Sequence, residues 1–352
     1  AEARKVGIDE MVGIPHIAVA NEEGAAVRHR SIVTPVEPRR SSRMRSRIDR
    51  ASDGADFGTV GRMRRFAERF LHVDMDAFFV EVERLRSADL RGRAVIVGGL
   101  GPRGVVASAS YEARNRGVRS AMPMIEARRR APHARFVAPD HRRYRAVSDE
   151  VFGVLRSFTP EVEALSIDEA FLDIAGLRLH YQEPAAVGTA IRQRIREEIG
   201  IPSSVGIASS KFVAKTASGK AKPDGMRVIA AGAELAFLHP LPISDLWGVG
   251  AVTQAALASL GIATIGDLAS TPSVTLQRHL GQTVGAQLAA LARAEDDRPV
   301  VTDSSARSIS VEETYPNDLT TSEAIERELL RLCDRLADRL NRSGLGGRTV
   351  TL

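Results

Sequence analysis

Two short apolar runs, far apart in the chain, each break on carboxylates and resume with aromatic residues. The first is Leu71-His72-Val73-Asp74-Met75-Asp76-Ala77-Phe78-Phe79. The second is Ala164-Leu165-Ser166-Ile167-Asp168-Glu169-Ala170-Phe171-Leu172-Asp173-Ile174. Leu165, Ile167, Phe171 and Ile174 surround an acidic pair, so this stretch reads as two short buried strands meeting at a tight turn. Alone, it would read more readily as a surface hairpin with a solvated acidic turn. The earlier repeat of the same design changes the balance: two strand-borne acid groups invite a shared site for hard Mg²⁺, which takes carboxylate, phosphate and water oxygens. Paired ions about 3.5–4 Å apart can hold the attacking and leaving oxygens of an in-line phosphoryl displacement.

The chain has 352 residues, room for two or three domains. Lys and Arg number 49 against 44 Asp and Glu, and gathering several acids in one site would leave the remaining surface more basic. That suits a polyanionic partner. The single cysteine, Cys333, excludes an intrachain disulfide and a Cys-rich zinc site, and its amphipathic surroundings predict a packed apolar residue. No apolar run is long enough to cross a membrane and no secretory segment opens the chain, so the expected compartment is cytoplasmic. The start at Ala1 rather than Met fits a processed product or a fragment.

Residues 1–66 lack a sustained period and carry an Arg/Ser run, Arg39–Arg47; they are expected to be a disordered basic extension. From there the pattern predicts strand, helix, acidic hairpin, helix, strand, helix, strand: an α+β unit with helices on one face of a mostly antiparallel sheet. Residues 78–139 read as an insertion with strands at 94–97 and 105–109. Residues 234–297 read as small helices, with Gly248-Val249-Gly250 as a hairpin joining two of them. Glycines let backbone approach a phosphate, and the following helix N-terminus presents free N–H groups. The segment resembles a helix-hairpin-helix DNA-binding module. A linker follows at 299–307, then a strand at Ser308–Glu313, a helix at Ser322–Asn341, and a strand starting at Arg348.

From Phe70 to Leu352 the chain resembles a Y-family DNA polymerase of the bacterial DNA polymerase IV (DinB) type. The matches are Val73–Phe79, Ser110-Tyr111-Glu112-Ala113-Arg114, Ser166-Ile167-Asp168-Glu169-Ala170, Ala221-Lys222-Pro223-Asp224-Gly225 and the glycine hairpin, all in family order. The resemblance implies a right-hand polymerase: palm at 67–77 and 140–230, fingers at 78–139, helical thumb at 231–298, and an incomplete little finger at 308–352. The implied activity is template-directed, low-fidelity translesion synthesis without a proofreading exonuclease.

The resemblance also implies roles. Asp74 and Asp168 would bridge two Mg²⁺ ions (Mn²⁺ able to substitute), Glu169 would hold the primer-side ion, and the Met75 carbonyl would complete the nucleotide-side shell. Without metal, three clustered acids should leave at least one with a raised pKa. Tyr111, Arg114 and Lys222 would hold the incoming triphosphate. Phe79 would be the steric gate against a 2′-hydroxyl, leaving Phe78 for the core. Small residues Ala77, Ala107, Ser108 and Ala109 would cover the base pair loosely. Gly248 and Gly250 would approach DNA phosphates. Asp76, on the face of Asp74 by alternation, is left without a role. The implied partners are primer-template DNA, deoxynucleoside triphosphates and, for the full-length protein, a sliding clamp; the implied state is a monomer. Two other readings compete: a polymerase-like DNA-binding accessory protein without chemistry, which the intact acids disfavour, and a palm-fold nucleotide cyclase, which leaves the glycine hairpin unexplained.

Overall fold

A computed structural model describes residues 66–303 and 306–352. The predicted basic extension lies outside the described residues, apart from Phe66.

Strand β1 (Phe70–Met75) leads through Ala77 into α1 (Phe78–Arg86). Ala77 takes the left-handed conformation, φ 43°, and is buried; a non-glycine residue is strained there, and the tight strand-to-helix turn imposes it. Strands β2 (Val95–Gly98) and β3 (Val106–Ala109) follow, then α2 (Tyr111–Arg114), α3 (Met124–Arg130) and β4 (Arg135–Val137). These three strands form a small separate sheet in the order β3-β2-β4, with β2–β3 antiparallel and β2–β4 parallel.

Helix α4 (His141–Phe158) starts on an Asp140 cap, whose carboxylate accepts from the Arg143 N–H. Strands β5 (Val162–Ala164) and β6 (Glu169–Asp173), helix α5 (Pro184–Glu198), strand β7 (Ser203–Ala208), helix α6 (Lys211–Ala221) and strand β8 (Met226–Val228) complete the main sheet. Its order is β5-β6-β1-β7-β8; all neighbours are antiparallel except β7–β8. The predicted succession of elements and the mostly antiparallel sheet are both present.

The placement of helices differs from the expectation of a single covered face. Register puts Leu71, Val73 and Met75 of β1 beside Leu172, Ala170, Val205 and Ile207, and these join the core under α4 and α5. Phe70, His72 and Asp74 face the other way, beside Phe171, Glu169, Gly206 and Ser204. Helix α6 lies across this second face, and Gly206 is the reason it can. A Cβ at Gly206 would stand 2.0 Å from the Ala214 carbonyl oxygen and 2.3 Å from the Ser218 nitrogen.

The acidic hairpin is also shorter than its apolar pattern suggests. Its first strand ends at Ala164, so half-buried Leu165 and Ile167 lie in the turn rather than on a ladder. The Leu165 N–H bonds to the Glu169 carbonyl across that turn.

The remaining helices are α7 (Glu234–Leu238), α8 (Ala251–Ala258), α9 (Ile265–Ser270), α10 (Ser273–Leu280), α11 (Gln282–Ala292) and α12 (Ser322–Ser343). Phe212, Val213, Ala214 and Ala217 of α6 share one core with Leu238, Ile243, Leu246, Leu257 and Leu288 of the helical unit. Helix α6 is therefore packed on both sides. Only a 3₁₀ turn, Ile243–Asp245, precedes the glycine hairpin, where a full helix was expected. Among the described residues, neither Ser308–Glu313 nor Arg348–Leu352 joins a strand ladder. Cys333 is exposed, contrary to its pattern, because no residue of α12 is buried by a packed neighbour.

Candidate active site

The ladder of β1 with β6 sets Asp74 directly opposite Glu169. Asp168, one residue earlier, is held at the strand mouth because its carbonyl accepts the Met75 N–H at 2.9 Å. The Met75 side chain is buried on the opposite face, so only its main chain can serve this site.

Each acid has its own counter-group. The Lys222 ammonium sits 2.5 Å from Asp74 Oδ1. Glu169 Oε2 accepts from the Lys215 ammonium and lies 3.4 Å from His72 Nε2. The Ser166 hydroxyl donates to Asp168 Oδ1 at 2.5 Å. Burial raises the Asp74 pKa to about 6, against the opposing pull of Lys222 and with smaller contributions from Asp168 and Glu169. Asp168 is raised too, again chiefly by burial. The expected upward shift is present, but desolvation outweighs mutual repulsion as its cause. Burial also pushes up on Glu169, yet the neighbouring His72 ring and the Lys215 ammonium prevail and hold it down at about 2.

Tyr111 and Arg114 stand on the small helix α2, capped by Ser110. The Arg114 guanidinium lies over the Tyr111 ring, 4.9 Å from its centroid, while its Nε donates to the Ala109 carbonyl. The Tyr111 hydroxyl donates to Asp76 Oδ1 at 2.9 Å. Asp76, set aside on sequence grounds, is a buried hub. It also accepts from the Ser204 hydroxyl and from the Asp224 N–H at 2.7 Å, fixing the loop after Lys222. Phe79 stacks on Tyr144 at 4.2 Å and 12°, and the Tyr144 hydroxyl is anchored on buried Glu83 at 2.7 Å. Phe78 is in the core.

Gly248 adopts φ +97°, a conformation that favours glycine. Gly250 precedes α8, and a Cβ there would meet open space. The hairpin is connected to the acids by neighbouring Trp247, whose ring lies 5.7 Å from the Lys215 ammonium and 6.3 Å from the Phe171 ring.

The structure thus joins Asp74, Asp168, Glu169, Met75 and Lys222 in one cluster, and ties Tyr111 and Arg114 to its edge through Asp76. The sequence reading missed His72, Asp76, Lys215 and Trp247. Alternation with Asp74 was the available signal for Asp76, and the lysine-studded pattern of α6 was the signal for Lys215. A groove of about 770 Å³ between α4 and α5, around Phe158, Tyr181 and Arg194, contains none of these groups.

The acids offer only hard oxygen donors, which fit Mg²⁺-like ions. Among the described residues no three acidic, histidine or cysteine side chains converge on one point as they stand. The ion pairs explain this: Asp74 and Glu169 are each turned to a lysine, so the ammonium groups occupy the cationic role.

The chain matches the impB/mucB/samB family over residues 73–219, its HHH motif over 232–262 and its C-terminal domain over 306–352. It is 49% identical over 290 residues to DNA polymerase IV of Streptomyces coelicolor, with 82% of this chain and 60% of that protein covered. It is 44% identical to DNA polymerase IV of Xanthomonas campestris, with 81% and 79% covered. The chain therefore spans under two thirds of the Streptomyces protein. Its fold is similar to a Y-family DNA polymerase chimera of Dbh and Dpo4, with TM-score 0.69, 29% identity and 77% and 80% coverage. It is also similar to an insertion ternary complex of Dbh DNA polymerase, with TM-score 0.62, 33% identity and 66% and 69% coverage.

Proposed function

The chain belongs to the Y-family DNA polymerases of the DNA polymerase IV type, the impB/mucB/samB family, and from that membership we propose that it extends a DNA primer on a template, tolerating damaged bases and lacking proofreading. The observation that carries the reading is the pairing of Asp74 with Glu169 across β1 and β6, with Asp168 tied to Met75, which gathers the three acids at one end of the sheet.

Asp74, Asp168, Glu169 and the Met75 carbonyl would hold two Mg²⁺ ions, with Mn²⁺ able to substitute. When bound, such ions supply activation of the primer 3′-hydroxyl and charge neutralisation on the triphosphate. The remaining work falls to this chain's own groups. Lys222 and Arg114 bind the β and γ phosphates, Arg as a planar fork and Lys as a point charge, and Tyr111, its hydroxyl fixed on Asp76, holds the Arg114 fork at the nucleotide through its ring. Asp76 fixes Tyr111 and the loop after Lys222 together, so the cradle is preorganised. The Phe79 ring, backed by Tyr144, excludes a 2′-hydroxyl. Main-chain N–H groups of Gly248 and Gly250 donate to a duplex phosphate without reading sequence.

In this reading the main sheet with α4–α6 is the palm (67–77 and 140–230), and the small sheet with its helices is the fingers (78–139). Residues 231–298 are the thumb, and 308–352 belong to the little finger. Substrates are primer-template DNA and deoxynucleoside triphosphates; the protein acts as a cytoplasmic monomer, and its full-length form engages a sliding clamp. No helix among the described residues is long and apolar enough to cross a membrane. Primer extension with Mg²⁺ at low salt, beside Asp168→Ala, tests the proposal. Extension that falls to background in the variant supports it; extension retained by the variant refutes the metal site.

A further inference from the structure

Helix α6 carries more lysine than nucleotide binding requires. Lys222, just after it, reaches Asp74; Lys215, one turn back from Ser218, reaches Glu169. Lys215 has a second contact. Its ammonium lies 5.7 Å from the centroid of Trp247, within the range where a cation is attracted to an indole face, the strongest of the aromatic partners. Trp247 is also approached by the Arg298 guanidinium at 4.7 Å and rests near Phe171 of β6. Its neighbours in sequence are buried Leu246, rooted in the helical core, and Gly248, where the hairpin turns. The contacts therefore run without a break from Glu169 through Lys215 and Trp247 to the glycine hairpin. Both ends are stiff: α6 is pressed on Gly206 and shares a core with the helical unit, and Lys220 binds Asp245 just before Trp247.

We propose that Lys215 is a positioning residue that couples occupancy of the acidic site to Trp247 and the hairpin root. This rests on the polymerase reading above. A divalent ion taking Glu169 and the Lys215 ammonium cannot share the same carboxylate oxygen, because the two cations repel at contact distance. With such an ion bound, the Lys215 ammonium would give up Glu169 Oε2 and, still tethered beside Trp247, shift on the indole face. Binding at the acids is thereby registered at the residue that begins the DNA-facing hairpin. Until then Lys215 neutralises the Glu169 carboxylate.

Trp247 is the only tryptophan in the chain, so intrinsic emission reports from this point. The experiment titrates Mg²⁺ into the DNA-free protein while following emission, with Mn²⁺ binding measured separately by electron paramagnetic resonance. Wild type should give a saturable emission change. Lys215→Met should lose that change yet bind Mn²⁺ about tenfold more tightly, a gain of about 1.4 kcal/mol, because a competing charge is gone. Lys215→Arg should restore the response. An emission change that survives Lys215→Met, or Mn²⁺ binding by wild type with silent emission, overturns the coupling. Primer extension by the same preparation separates the two readings. Extension with silent emission rejects the coupling alone, whereas absence of both Mn²⁺ binding and extension rejects the polymerase reading and the coupling with it.

Discussion

Substituting Gly206→Ala isolates the contribution of α6 from that of any charged group. The backbone dihedral at 206 is open to alanine; only space is lacking. The new methyl would stand 2.0 Å from the Ala214 carbonyl oxygen, 2.3 Å from the Ser218 nitrogen and 3.0 Å from the Ala217 carbonyl carbon. All three are main-chain atoms of one helix, so no side chain can rotate away. Reaching an ordinary contact of about 3.5 Å requires α6 to retreat by more than about 1 Å. That retreat loosens Phe212, Val213, Ala214 and Ala217 from the helical core. Overpacking costs about 1–3 kcal/mol where neighbours can yield; here the value should lie at the upper end. At about 2–4 °C per kcal/mol for a unit of this size, the midpoint of thermal unfolding should fall by roughly 6–12 °C. Lys215 and Lys222 move with the helix, so extension at a temperature where the variant is folded should also fall. Circular dichroism melts and primer extension give both readings. A variant within about 0.5 kcal/mol of wild type, with full activity, would refute the argument that α6 is seated by the absence of a side chain at 206.

Two further predictions address groups the sequence left without a role. Asp76→Asn removes charge-assisted acceptance from Tyr111, Ser204 and the Asp224 N–H; it should raise the nucleotide KM more than it lowers kcat, as steady-state kinetics with varied nucleotide would read, and a fall confined to kcat would count against a positioning role. His72 is buried and held down at about 4, chiefly by desolvation, so the native state stays neutral while the unfolded chain takes a proton below 6.5. Its depressed pKa contributes stability that is present above 6.5 and lost as pH falls toward 4, about 3 kcal/mol in all. Asp74, raised to about 6, works in the opposite direction as pH falls through that value, so the histidine effect is read as a difference. The stability gap between wild type and His72→Asn in urea should shrink between pH 7 and pH 4; a constant gap would refute the shift.

The fold was readable where a local pattern and a long-range demand coincide. Strand β1 and the hairpin each alternate in a way that only one buried face satisfies, and acids interrupt both at the same level of the sheet. The second covered face was not readable. Nothing in Ser203–Ala208 distinguishes a glycine that admits a helix from one that merely interrupts a strand; the difference lies in Ala214 and Ser218, which reach it through tertiary packing. The strands expected at 308–313 and 348–352 failed for a related reason. Alternation describes a surface that could pair, but pairing needs a partner backbone, and among the described residues neither segment has one. Cys333 shows the same limit on a helix: α12 is amphipathic, yet among the described residues nothing buries its apolar face.

The site divides along the same line. Acids announce themselves in sequence because carboxylates at the ends of apolar strands are costly and need a reason. Their counter-charges do so less, because lysines on a helix are ordinarily solvated; Lys222 stands out through its motif, and Lys215 only as one lysine of a studded helix. Lys222 and Asp74 are 148 residues apart, and Lys215 and Glu169 are 46 apart; no spacing rule links either pair. What selects these lysines is the geometry of α6, which is fixed on one side by Gly206 and on the other by the helical core. A site built this way has two of its three acids matched by an ammonium group, while Asp168 is held by a serine hydroxyl. Two ammonium groups hold Asp74 and Glu169, and in the function proposed above a divalent ion would replace those cations. One of those lysines, Lys215, also leans on Trp247, the residue that precedes the glycine hairpin.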